Sequence, residues 1–315
     1  MLWKRRRGKR GFKAFVQRSA RMLRWTFRIL LLFLILDLVY LGLTWPDWNK
    51  IATGPIPKSA FIREYEKQLA ENKDWPRLRW QPVAFSHFPK PLLRAVILAE
   101  DSRFYEHSGF DLIAFKEAMD YNLDKGRFVF GASTISQQTV KNLFLTPSRN
   151  PLRKWHELIL TWGMERQLSK RRILEIYLNV AQFGRGIYGV QAASQLYWGI
   201  SSDQLTPAQA AELVASLPSP VKNNPATHTR SFDRRSKKLL TLLERYPGDA
   251  AEAVRERPFD LFLPPPDNGT ESTVDEEDEP LPDEPPVENG DEPPPVNERE
   301  ELPPVEDRSF RPRSI

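Results

Sequence analysis

The sequence predicts a mainly α-helical domain behind a single N-terminal membrane helix, with a disordered C-terminal tail, and three observations carry that reading. A 17-residue apolar run, ILLLFLILDLVYLGLTW, occupies positions 29–45. Between positions 52 and 263, segment after segment repeats its apolar residues at three and four positions, the period of an amphipathic helix. From Pro264 onward the chain holds 17 acids and 13 prolines and almost nothing that could form a core.

The first 28 residues carry 11 Lys and Arg and no acid, so the formal net charge of +5 conceals two ends of opposite sign. Trp25 and Phe27 extend the apolar run toward the length of about 20 residues that spans a bilayer, with Arg28 reaching back to the interface. A signal peptide would have a shorter apolar region, roughly 7 to 15 residues, and a small-residue cleavage site, which TWPDWNK does not offer. The reading is therefore an uncleaved anchor over 25–48. The positive-inside rule then keeps the basic segment 1–24 in the cytoplasm and exports the chain beyond the anchor, a single-pass topology. The lack of cysteine fits an oxidising compartment. Asp37 interrupts the anchor. An acid at membrane depth costs about 3 kcal/mol, tolerable in so apolar a helix, with a helix-packing role as the alternative.

Outside the two ends and the anchor, 31 basic residues face 23 acidic ones, a net charge of +8 that suits an anionic ligand or a membrane surface. The domain expected over 49–263 reads as helical nearly throughout: PLLRAVILAE, DLIAFKEAMDYNLDKG, STISQQTVKNLFL, PLRKWHELILTWGMERQL, SKRRILEIYLNVAQF, IYGVQAASQLYWG and TPAQAAELVASL. Ser133, Ser169 and Thr206 are the expected N-caps, the last followed by Pro at the first helical position. No stretch of four residues alternates well enough for a central strand, and there is no internal repeat.

AEDSRFYEHSGFD, residues 99–111, places Glu100 and Asp101 at the end of an apolar helix. The helix dipole disfavours acids there by a few tenths to about 1 kcal/mol, so a positive group close by or a functional role is expected. GASTISQQTVKN, residues 131–142, would align Ser133, Gln137 and Lys141 on one stripe and Thr134, Gln138 and Asn142 on the next, a face of donors ending in a cation. Solvated helix faces are more often filled with Glu, Lys and Arg. RNPLRKWHE adds Arg149, Arg153 and Lys154 ahead of Glu157. Taken alone these are surface ion pairs at i+3 and i+4. Beside Lys141 they make a site for a phosphorylated anion, in which Arg forks two oxygens and Lys supplies a point charge.

Two carboxylates, Glu100 and Glu157, in one cleft with those cations suggest acid–base work on a sugar or phosphate ester. His107, with Gly109 just behind it, is expected to make a structural hydrogen bond. Four scattered His and no Cys give no zinc spacing. A divalent ion, Mg or Mn, held by Glu157 and phosphate oxygens is the one metal role left open. An exported, anchored domain rarely meets nucleic acid, and none is expected as a partner.

EDSRFYEHSG, GASTISQQTVKN, RKWHE, KRRILEIYLN and GRGIYGVQAAS, in this order between about Pro89 and Pro225, resemble the peptidoglycan glycosyltransferases, found alone in monofunctional biosynthetic transglycosylases and at the N-terminal side of class A penicillin-binding proteins. The resemblance implies a lysozyme-like helical domain that joins lipid-linked disaccharide-peptide units (lipid II) into glycan strands, the growing chain being the donor. It implies Glu100 as the base that deprotonates the acceptor 4-hydroxyl and Glu157 as a second glutamate near the diphosphate or its metal. Lys141, Arg149, Arg153 and Lys154 would bind the leaving diphosphate. Ser133, Thr134, Gln137, Gln138 and Asn142 would line the donor site, with Asp101 beside them. Lys170, Glu175, Tyr177 and Asn179 look structural. The implied partners are lipid II and lipid-linked glycan, the membrane, and other cell-wall synthesis or division proteins.

The cation cluster agrees with that allocation. A diphosphate leaves readily once its charge is neutralised, so a transferase needs a base and cations, whereas a hydrolytic glycosidase needs an acid to protonate a sugar oxygen. Ala132, Ser136 and Thr139 depart mildly from the family pattern. SPVK at 219–222 matches S-x-x-K without a following K-T-G, so a monofunctional enzyme is expected.

Overall fold

Helix α1 (Trp3–Leu43) is uninterrupted, and its stretch Gln17–Leu43 is long and apolar enough to cross a membrane. The computed structural model describes residues 3–126, 131–147 and 150–246, so Arg149, the boundary at 263 and the acidic tail lie outside the described residues. Near the start of the apolar run the Arg28 guanidinium lies 5.4 Å from the Trp25 ring, as an interfacial pair would. The helix ends at Leu43, before Pro46, short of the expected boundary at 48. Asp47 then caps the short α2 (Trp48–Thr53) by accepting from the Lys50 amide.

Two elements next in the chain are not foreshadowed by the sequence pattern: α3 (Ala60–Glu71), capped by Ser59, and β1 (Arg79–Trp80). The expected helices come next as α4 (Lys90–Glu100), α5 (Leu112–Lys125), α6 (Ile135–Phe144), α7 (Pro151–Gln167) and α8 (Lys170–Val180). Two expected segments are shared with a sheet. The end of SKRRILEIYLNVAQF enters β2 (Gln182–Gly184), and the start of IYGVQAASQLYWG is β3 (Ile187–Tyr188), so α9 begins only at Val190 and runs to Trp198. The left-handed Gly186 and Gly189, at φ +72° and +80°, make the turns that divide these segments. The sheet order is β1-β3-β2, with β1 parallel to β3 and β2 antiparallel to it. Strands this short cannot display an alternation. α10 (Pro207–Ser216) and α11 (Arg230–Arg245) complete the fold, the latter also unforeseen.

Ser169 and Thr206 cap α8 and α10 as expected, and Pro207 opens α10. The cap of α6 is Thr134 rather than Ser133. A capping box needs a side chain at the third helical position that reaches back. Thr134 has Gln137 there, whose Oε1 accepts from the Thr134 amide at 3.0 Å, while Ser133 would have only Ser136.

The core is built on α4. Leu92, Ala95, Val96, Ile97 and Leu98 are buried on it, and the small residues Ala210 and Ala211 let α10 approach closely before α11 covers both. Truncating such a leucine to alanine costs about 2–5 kcal/mol. α6 packs against α7 on one side and α8 on the other. α8 is cross-braced to the chain ahead of α4: Asn179 accepts from the Val83 amide at 2.8 Å and Glu175 from the Phe85 amide at 2.7 Å. Arg172 donates to the Ile51 and Gly54 carbonyls at the end of α2, fixing that helix to the domain.

Candidate active site

Glu100 is the last residue of α4, and the positive group its position called for is Arg235, contributed by α11. The guanidinium donates to Glu100 Oε1 at 3.0 Å, and Gln138, one turn into α6, donates to Oε2 at the same distance. Behind them Tyr177 of α8 donates its hydroxyl to Gln138 Oε1 at 3.0 Å. Burial first, then the charges of Glu100 and Asp101, holds the Tyr177 phenol well above its ordinary value of 10, against the pull of Arg235. Tyr177 is therefore a fixed donor, which turns the Gln138 amide so that its NH2 faces Glu100.

Asp101 faces the other way. Its carboxylate accepts from the Ile135 amide at the start of α6 at 2.9 Å and meets His107 Nε2 at 2.9 Å. His107 Nδ1 accepts from the Gly109 amide, so the ring proton is assigned to Nε2, directed at Asp101. His107 thus makes a structural hydrogen bond. Asp101, His107 and Asp111 have ligand-type atoms within 4.8 Å of one another. Yet Asp111 caps α5 through the Ile113 and Ala114 amides and pairs with Arg103, so the three form a closed network.

The donor stripe expected along 133–142 is not continuous. Ser133 lies exposed ahead of the helix. Thr134 and Gln137 are buried in the capping box, the Thr134 hydroxyl also reaching the Gly109 carbonyl at 2.7 Å. Gln138 reaches Glu100, and Lys141 and Asn142 sit half-buried at the far end. The Lys141 ammonium lies 6.0 Å from the Phe61 ring and, among the described residues, has no carboxylate at ion-pair distance.

On α7, capped by Asn150, Glu157 is only 2% exposed and is gripped by Arg153 at 3.3 Å and by Lys154. A bland surface pair would leave the acid in water. Arg153 and Lys154 each meet a different Glu157 oxygen, so a divalent ion bound there would share the carboxylate with two cations. The buried Nε of Arg153 and that of Arg235, like those of Arg94 and Arg103, have no hydrogen-bond acceptor among the described residues. α6 joins the two halves: it carries Gln138 to Glu100 and packs on the helix that bears Glu157. No hydrogen bond or ion pair links the two glutamate clusters directly among the described residues.

Lys170 donates to Glu165 at 2.7 Å and lies over the Phe104 ring, behind the Asp101 loop. Lys170, Glu175 and Asn179 therefore hold elements together, while Tyr177 exceeds its expected structural role because it orients the partner of Glu100. Sequence reasoning misses Arg235 outright. DRRSKK reads as a solvated charge run, and only its distant pairing gives it a role.

A helical domain with one carboxylate held by an amide and a guanidinium, and with Lys141 on the helix of that amide free of a carboxylate partner among the described residues, defines the class: an enzyme acting where negative charge must be received. The transglycosylase family model matches residues 66–244, and the chain belongs to that family. It is 39% identical over 220 residues to a biosynthetic peptidoglycan transglycosylase of Nitrosospira multiformis, covering 69% of this chain and 94% of the relative. It is 38% identical over 221 residues to the protein of the same name from Laribacter hongkongensis (69% and 95%), and 44% over 197 residues to that from Thiobacillus denitrificans (62% and 83%).

Proposed function

We propose that this enzyme polymerises the glycan strands of peptidoglycan at the outer face of the cytoplasmic membrane. The donor is the growing chain, linked through a diphosphate to a polyprenyl lipid, and the acceptor is the 4-hydroxyl of lipid II. Glu100 takes the proton of that hydroxyl, whose oxygen forms the β-1,4 bond to the donor C1. The bond from C1 to the diphosphate oxygen breaks, and its electron pair leaves with the polyprenyl diphosphate. Lys141, Arg153, Lys154 and, from its sequence position, Arg149 neutralise the departing charge. Glu157 holds Arg153 and Lys154 in place. Ser133 and Asn142 flank the donor, while Thr134, Gln137 and Asp101 act by fixing α6 to the His107 loop. The basic segment 1–24 faces the cytoplasm and the domain the periplasm.

The observation that carries this reading is the half-buried Glu100 carboxylate aimed by Gln138 and Arg235, with Lys141, about one turn along α6 from Gln138, free of any carboxylate at ion-pair distance among the described residues. A hydrolase would need a second carboxyl group free to act as acid, and Glu157 is occupied at both oxygens. The test is conversion of radiolabelled lipid II to polymer by Glu100→Gln. Loss of activity by about 10³-fold in a folded protein is expected. Normal polymerisation by that variant would sink the assignment of the base, and solubilisation of purified cell wall without any lipid-linked precursor would sink the synthetic direction.

A further inference from the structure

Asp37, the acid inside the apolar run of α1, is not alone in lipid. Its Oδ1 lies 2.7 Å from Nε2 of His156, and its Oδ2 accepts from the indole Nε1 of Trp155 at 3.1 Å. The Asp37 and His156 side chains are each 14% exposed. Tyr40, nearly one turn further along α1, sets its ring 5.9 Å from that of His156, and Leu36 and Leu152 are among the residues that close the apolar surround. Asp37 lies about 9 Å along the helix from Leu43, the end of the apolar span. Both of its partners belong to α7, between Lys154 and Glu157 in sequence. α7 therefore turns one face to the anchor and the neighbouring face to the site.

Between helices in lipid there is no hydrophobic drive to fix a register, because the acyl chains are as apolar as leucine. A carboxylate with an imidazole and an indole as its only partners among the described residues is different. Each member leaves a costly unpaired group if the helices slide, so one register of α1 on α7 is selected.

We propose that Asp37 is a positioning residue, a latch that seats the membrane helix on α7 and so holds Arg153, Lys154 and Glu157 at a fixed height over the bilayer for a lipid-borne substrate. The inference rests on the glycan-polymerase reading for its kinetic consequence but not for its geometric one.

The full chain in lipid vesicles tests both. Since the protein has no cysteine, Leu36→Cys with Leu152→Cys gives a unique pair across the contact, cross-linkable with a short bismaleimide. Asp37→Ala, which makes the anchor more apolar and so does not hinder insertion, is expected to lower cross-linking about fivefold. The exchange Asp37→His with His156→Asp is expected to restore it, the signature of a coupled pair. With lipid II as substrate, Asp37→Ala should raise KM about threefold or more and leave kcat within about twofold, and the exchange should reverse this. Unchanged cross-linking in Asp37→Ala, or no recovery in the exchanged pair, overturns the latch. Efficient cross-linking of the two-cysteine chain with Asp37 intact, beside a wild-type chain that never polymerises lipid II, would instead overturn the polymerase reading and leave the latch standing.

Discussion

Glu100 and Glu157 are both glutamates with each oxygen held by a side-chain donor, but they are assembled in opposite ways. Glu157 draws its partners from its own helix, three and four residues earlier. Glu100 draws them from α6 and α11, 38 and 135 residues away. The local set is complete as soon as α7 is helical. The remote set exists only when α4, α6, α8 and α11 are all docked, so the base is formed by the whole fold while the cation holder is formed by one element. Exposure has the same division. Glu157 is sealed, whereas the Glu100 side chain keeps 11% of its surface open, as a group that must meet a substrate requires.

The contrast breaks most visibly under amide substitution. Glu100→Gln should lose about 10³-fold in polymerisation with little change in melting temperature, because Arg235 is one-third exposed and re-solvates. Glu157→Gln should do the reverse in emphasis. It strands Arg153 beside a neutral amide in a buried position, and after discounting for the half-exposed Lys154 the cost is about 2 kcal/mol, or roughly 5 °C in a domain of this size. Thermal unfolding set against the radiolabel assay separates the two. Equal melting losses would show that the remote set is as structural as the local one.

A smaller effect sharpens the remote half. Arg235→Ala should lower kcat about tenfold while KM moves less, and Arg235→Lys should recover most of that, since a point charge still faces Oε1 although the geometry of the guanidinium is lost. A loss as deep as that of Glu100→Gln would mean that Arg235 touches the reacting diphosphate itself. No loss would make it packing.

The same division explains what the sequence disclosed. Glu100, Asp101, Lys141 and the Arg153–Lys154–Glu157 set stand in patterns that helical spacing or a family likeness exposes, and seven helices announced themselves by period. Arg235 did not, because it stands among the charges of α11 and its partner lies 135 residues away in sequence. Nor did the small sheet, whose strands are shorter than any alternation. Thr134 and Gln137 were visible as polar residues on a helix, but whether such a residue faces a ligand or closes a cap is a matter of one residue in the helix start. Asp37 was visible as an anomaly in the anchor, and its meaning lay 118 residues downstream.

The smallest effect belongs to Tyr177, which reaches Glu100 only through Gln138. Tyr177→Phe frees the Gln138 amide to rotate, and a fall of about threefold in kcat is expected. The same variant carries a stability signature. The phenol titrates well above 10 in the folded chain, and near 10 once unfolded. Above pH 10 the folded state therefore holds a proton that the unfolded state has released, so stability is full below pH 10 and declines as pH rises beyond it. Tyr197, pushed up to about 12 by burial and donating to the Phe183 carbonyl at 2.7 Å, adds a decline of the same sign between pH 10 and 12. Each Tyr→Phe change should flatten the alkaline limb of a denaturation series, but only Tyr177→Phe should also slow polymerisation at neutral pH. If Tyr197→Phe slowed it equally, the loss would reflect general loosening of the fold, and the relay from Tyr177 through Gln138 to Glu100 would have no separate part in setting the base.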